Sequence, residues 1–245
     1  MKKLILLVLL SVFNSVSAAD ELRIAVASNF VQVLKKISQE FEKSSDHRVK
    51  ISSGSTGKHY AQIKNGAPFD LFFAADSERP VLLEQEGRII ADSRFTYARG
   101  KLVLWSPLPQ QVDSAGTVLE QGDFNYLALA NPRLAPYGRA AKQLLDEKGL
   151  WKKLSGRMVQ GENIGQTFQF VKTGNADLGL VALSQVIDAS GEIEGSFWHV
   201  PQDRYAPIDQ QAVLLKDKPA ARAFIAFVKS DQMRSLIQRS GYETP

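Results

Sequence analysis

From residue 22 onward, short strand-like runs alternate with helical patterns, and that order leaves few folds open. Residues 22–27 read as a strand. Phe30, Val33, Leu34, Ile37 and Phe41 recur at helical spacing across 30–43, and 49–53 reads as a second strand. Residues 58–65 predict a helix stopped at Asn65-Gly66, 71–74 a buried strand, and 77–86 a helix ended by Gly87. Parallel strands need a crossover that passes over one face of the sheet. A β-α-β-α-β order therefore predicts a mostly parallel sheet flanked by helices.

The same order returns with a strand at 126–130, a helix at 138–148 closed by Gly149, a helix at 166–172 and a strand at 178–181. The chain is thus expected to form two α/β lobes, and 245 residues suffice for two small cores. Two long strand-like stretches, 95–106 and 207–215, are read as crossover strands joining the lobes. The first lobe is then discontinuous, 20–98 plus 210–245, with 99–209 as the second. Two crossings make a hinge, and a hinge between lobes makes a cleft that can close.

The start of the chain predicts export. Lys2-Lys3 is followed by an apolar run at 4–13 broken only by Ser11, too short to span a bilayer comfortably. Small residues at 16–19 offer cleavage after Ala18 or Ala19, so 1–19 is expected to be a signal peptide. Removing Lys2 and Lys3 lowers the formal charge from +4 to +2, too little for a nucleic-acid footprint. With no Cys in the chain, disulfide and thiol chemistry are excluded.

The residues that carry chemistry lie where strands run into helices. They are Ala27-Ser28-Asn29-Phe30, Ser53-Gly54-Ser55-Thr56-Gly57-Lys58, Ala135-Pro136-Tyr137-Gly138 and Glu162-Asn163-Ile164-Gly165. The first N–H groups of a helix have no partner inside it, and the dipole adds partial positive charge there. Ser, Thr and Asn add further donors, and the glycines let backbone approach a ligand. Such turns suit an anion at the carboxyl ends of strands. Any one of them alone would more simply be an N-cap.

An enzyme is the reading from another class. The run at 54–58 resembles a phosphate loop faintly, but Ser52 and His59 stand where that loop needs Gly and Ser or Thr. No Gly-x-Ser-x-Gly elbow occurs, and His47, His59 and His199 lack metal-ligand spacing. No cofactor is called for.

Over almost its whole expected mature length the chain resembles the periplasmic molybdate-binding proteins of ABC transporters. The resemblance is carried by 27–30, 52–57, 100–105, 131–132 with 135–138, 176–179, and most specifically by the run Asn65-Gly66-Ala67-Pro68-Phe69-Asp70-Leu71-Phe72-Phe73-Ala74-Ala75-Asp76. It implies an α/β fold of the two-lobed periplasmic binding protein class, type II-like. It also implies a monomer that binds molybdate or tungstate, as oxyanions with no protein–metal bond, for the membrane permease of an importer. By motif position it implies ligand contacts from Ser28, Asn29, Thr56 (where the family commonly has Ser), Tyr137 and Ile164, with Ser55, Gly57 and Gly165 as secondary contributors. One branch adds a Tyr after the strand at 178–181; here that position is Ala182. A binding protein for sulfate or phosphate is the nearer rival, since one scaffold serves many ligands. Phosphate would favour a carboxylate in the cleft, and Glu162 is the nearest to the four turns.

Overall fold

The structure, a computed structural model, describes residues 21–188 and 190–245. The expected signal segment, 1–19, lies outside the described residues. The chain runs β1 (Glu21–Ala27), α1 (Val31–Lys43), β2 (Arg48–Gly54), α2 (Thr56–Lys64), β3 (Leu71–Phe73), α3 (Glu78–Gln85), β4 (Phe95–Gly100) and β5 (Leu102–Ser106). It continues through α4 (Val118–Gln121), β6 (Leu127–Ala130), α5 (Pro136–Glu147), α6 (Leu150–Lys153), β7 (Met158–Gly161), α7 (Ile164–Lys172), β8 (Leu178–Ala182) and α8 (Leu183–Val186). It ends with β9 (Ser196–His199), β10 (Ile208–Leu214), α9 (Pro219–Val228) and α10 (Asp231–Arg239).

The strands form two five-stranded sheets, ordered β2-β1-β3-β10-β4 and β7-β6-β8-β5-β9. In each, the three leading strands are parallel. The fourth runs against them and the fifth turns back again. Each sheet is therefore mixed, with four strands sharing a direction. Helices cover both faces because alternate strand residues are apolar on both. Leu22, Ile24 and Val26 pack under α1 and α9, whereas Ala25 faces Ile63 and Leu83 of α2 and α3. In the second sheet, Leu127 and Leu129 meet Ala141, Leu144 and Leu145 of α5, while Ala128 and Val181 face Val171 of α7.

The crossings differ from the sequence reading. The stretch 95–106 is two strands that change sheet at Lys101 rather than one continuous crossover strand. The stretch 207–215 crosses nothing: β10 lies wholly in the first sheet, and the return is made by 200–207. Arg99, Gly100, Ile208 and Asp209, grouped by the sequence reading with the second lobe, accordingly pair within the first sheet. A uniform β-rich run carries no mark of which sheet its hydrogen bonds will join. β7 and β9 have no counterpart in the sequence reading. Both are edge strands, and their short segments, such as Met158-Val159-Gln160-Gly161, lack the apolar run of a central strand.

Candidate functional site

All four turns stand at carboxyl ends of parallel strands and converge where the two sheets meet. Three helices begin one or two residues earlier than the apolar periodicity indicates, because their first turns are specified by caps rather than by buried residues. Ser55 caps α2, its Oγ accepting from Lys58 N–H at 3.3 Å. Asn163 caps α7, its Oδ1 accepting from Gln166 N–H at 3.0 Å. Pro136 opens α5, where its missing N–H costs nothing. The earlier starts place Thr56, Tyr137 and Ile164 within the first two helical positions, where main-chain N–H groups have no helical acceptor.

Ser28, Asn29, Ser55, Thr56, Tyr137 and Ile164 line one small cavity, together with Ala75, Ala135 and Asn163. It admits the centre of a water-sized sphere over only about 10 Å³, on the order of one such sphere. None of its lining residues is charged. The space is closed because groups from the two sheets already touch around it. Gly165 N–H donates to Ser28 Oγ at 3.0 Å, and Gly57 N–H to Leu134 O at 2.9 Å. Further out, Lys58 Nζ meets Glu162 at 2.9 Å, and Arg139 reaches both Asp76 (2.9 Å) and Glu78. The Lys58–Glu162 pair is solvent-exposed and holds the rim weakly, whereas the Asp76 carboxylate is buried.

The same contacts show which groups of the expected site residues already have partners in this structure. The Gly57 and Gly165 N–H groups, expected as secondary contributors, are each given to the opposite side of the cleft. Their want of a side chain is what lets the halves approach. A Cβ on Gly57 would meet Leu134 backbone at 3.1 Å, and one on Gly165 would meet Ser28 Cβ at 3.1 Å. The Asn29 amide nitrogen is also committed, Nδ2 donating to Gln210 Oε1 at 2.8 Å and to Tyr242 Oη at 3.0 Å. Asn29 therefore retains only its main-chain N–H for a bound species. The Tyr137 hydroxyl is buried beside Gln210, its Oη accepting from Gln210 Nε2 at 3.4 Å. Burial pushes this phenol well above its ordinary pKa, so it stays neutral.

What remains is a set of neutral donors. The Ser28 and Thr56 hydroxyls, and the N–H groups of Asn29, Thr56, Tyr137 and Ile164, are given to no acceptor among the described residues. Ala182 is buried at the end of β8 and does not line the cavity. Glu162 is held outside by Lys58. The sequence reading passed over Gln185, whose Nε2 holds Ile164 O at 3.1 Å, and the buried group Gln210, Tyr97 and Tyr242. No motif marks these residues, since they meet the turns only in three dimensions.

The three His residues take packing roles. His59 is buried, with Nε2 at 3.2 Å from Val26 O and Nδ1 at 3.0 Å from Gln62 Oε1. His47 stacks on Phe41, and His199 packs edge-on against Phe197. Desolvation holds the His59 pKa below its ordinary value. As pH falls, the unfolded chain then takes up this proton before the native one, so stability drops below about pH 6.5. His59→Gln should flatten that fall, as read by urea midpoints at pH 5.5 and 7.5. Ligand binding should stay level between pH 6 and 8, because no lining group titrates there. A steep change of affinity across that range would reveal an ionisable contact in the cavity.

Comparison with known proteins places this geometry. A sequence model described as bacterial extracellular solute-binding protein matches residues 22–243. The chain belongs to that family. Its members are binding proteins rather than enzymes and work outside the cytoplasm, and no helix among the described residues is long and apolar enough to cross a membrane. The molybdate-binding protein ModA of Azotobacter vinelandii is 49% identical over 227 residues, covering 91% of this chain and 90% of that protein. ModA of Rhodobacter capsulatus is 44% identical over 231 residues, 93% of this chain and 90% of the relative. The solved structure of the Azotobacter vinelandii periplasmic molybdate-binding protein superposes with a TM-score of 0.89 at 43% identity, covering 91% of this chain and 99% of that one.

Proposed function

We propose that this solute-binding protein captures molybdate or tungstate in the cavity between its two sheets and delivers the anion to the membrane permease of an ABC importer. On this reading each sheet with its helices is one lobe, and the strands near Lys101 and the segment 200–207 act as the hinge. Residues 1–19 are removed on export, and the mature protein works in the periplasm as a monomer. Ser28, Asn29, Thr56, Tyr137 and Ile164 bind the oxyanion.

The observation that carries the reading is the small neutral cavity, ringed by hydroxyl and main-chain donors from both sheets. Its small size leaves no room for sugars or amino acids. Its donors match an ion that only accepts hydrogen bonds, each worth about 1.5–3 kcal/mol net. No carboxylate lines it to accept a proton from phosphate. Sulfate is smaller than molybdate, and in a cavity fitted to the larger ion its contacts are stretched. The relatives named for molybdate, at 44–49% identity, support the same assignment.

Ligand binding to the native state alone raises the melting temperature. Molybdate and tungstate should each do so strongly, and sulfate and phosphate at equal concentration much less. Equal stabilisation by sulfate would overturn the ligand assignment while leaving the binding fold intact.

A further inference from the structure

Gln210 is fully buried on β10, where the register against β4 shifts between Gln210 and Gln211. Such irregularities re-aim a side chain. Here the carboxamide is aimed at the meeting point of the sheets. Its Oε1 accepts from Asn29 Nδ2 at 2.8 Å and from Tyr97 Oη at 3.0 Å, while its Nε2 donates to Tyr137 Oη at 3.4 Å. Asn29 belongs to the turn after β1, Tyr137 to the mouth of α5 on the second sheet. Both have their side chains tied up in this way while their main-chain N–H groups remain free toward the cavity. The carbonyl of Asn29 is pinned as well, by Tyr242 Oη at 2.9 Å.

We infer that Gln210 is a positioning residue of the site: one buried carboxamide grips a binding residue from each lobe and so sets the spacing between their main-chain donors across the closed cleft. This rests on the molybdate reading above. Gly100 supports it independently. It sits at the end of β4, opposite Ile208, and a Cβ there would fall 2.1 Å from Tyr137 Oη and 2.7 Å from Gln210 Nε2. The backbone at Gly100 needs no positive φ. The absent side chain therefore makes room for this junction and serves no strained turn. A carboxamide is required because one group must accept from Asn29 Nδ2 and also donate to Tyr137 Oη.

The test is titration calorimetry with sodium molybdate and sodium sulfate on Gln210→Met, Gly100→Ala, Tyr137→Phe and the Gln210→Met/Tyr137→Phe double variant, beside the unfolding of each ligand-free protein. Methionine keeps the length of glutamine and removes its hydrogen bonds. Gln210→Met and Gly100→Ala should each raise the molybdate Kd by about fivefold or more and narrow the molybdate-over-sulfate ratio, as expected when about 1 kcal/mol of donor alignment is lost. Tyr137→Phe should cost less, and the double variant should fall short of the product of the singles, because one bond joins the two residues. A purely structural role would instead lower ligand-free stability and leave Kd and selectivity at wild-type values. If wild type binds molybdate and both Gln210→Met and Gly100→Ala match it within about fivefold, the positioning role is wrong and the ligand assignment stands. If wild type takes no molybdate, the ligand assignment fails and the inference with it. Should Gln210→Met not fold, the Gly100→Ala titration decides alone.

Discussion

Ser28→Ala is expected to weaken molybdate binding by about 10- to 150-fold, the cost of one lost hydrogen bond to a charged ligand. Its effect on the ligand-free protein should be small. The Ser28 hydroxyl accepts from Gly165 N–H on the other side of the cleft, a bond that exists only when the halves meet. Thr56→Ala should lose a similar amount of affinity and in addition destabilise the ligand-free fold. The Thr56 Oγ1 accepts from Ala75 N–H at 3.0 Å within its own lobe, and the substitution leaves a buried donor without a partner. That adds about 1–3 kcal/mol of lost stability. Thr56→Ser should restore both properties. Calorimetry and urea unfolding on the three variants separate these effects. Wild-type affinity in Ser28→Ala would remove the hydroxyl from the binding set.

Gly138→Ala should be more damaging than its single added methyl suggests. A Cβ there would lie 2.3 Å from the Ala130 carbonyl oxygen and 2.9 Å from the Asn131 carbonyl carbon. Both are backbone atoms at the end of β6, so no rotamer can relieve the contact. The first turn of α5 must then lift off the strand. That shifts the Tyr137 N–H, the Leu134 carbonyl that receives Gly57 N–H, and the packing of Ala140 and Leu144 on the sheet. Overpacking of this kind costs about 1–3 kcal/mol of stability. The displaced donor should in addition lower molybdate affinity by about 100-fold or more, since misplacing a helix mouth removes several aligned contacts at once. A melting temperature and Kd both equal to wild type would show that α5 has slack at its N-terminus.

Much of this was legible in the amino-acid sequence. The alternation of strand and helix patterns determined the α/β class, because hydrophobic period is a local property that survives in any tertiary setting. The small polar turns marked where helices open and an anion could sit, although the starts set by Ser55, Pro136 and Asn163 lie ahead of the apolar periodicity. The long match at 65–76 pointed to the family. What the tertiary structure alone decided is which of the candidate donors are free. Asn29 meets Gln210 across 181 residues and Tyr242 across 213, and Ser28 meets Gly165 across 137. A carboxamide or an N–H reads the same in sequence whether or not its hydrogen bond is already given. Likewise one β-rich run at 95–106 could not show that it would be divided between two sheets. Hydrogen-bond partners are chosen by proximity after collapse, and proximity over such separations is written in the packing of the cores, not in any local pattern of residues.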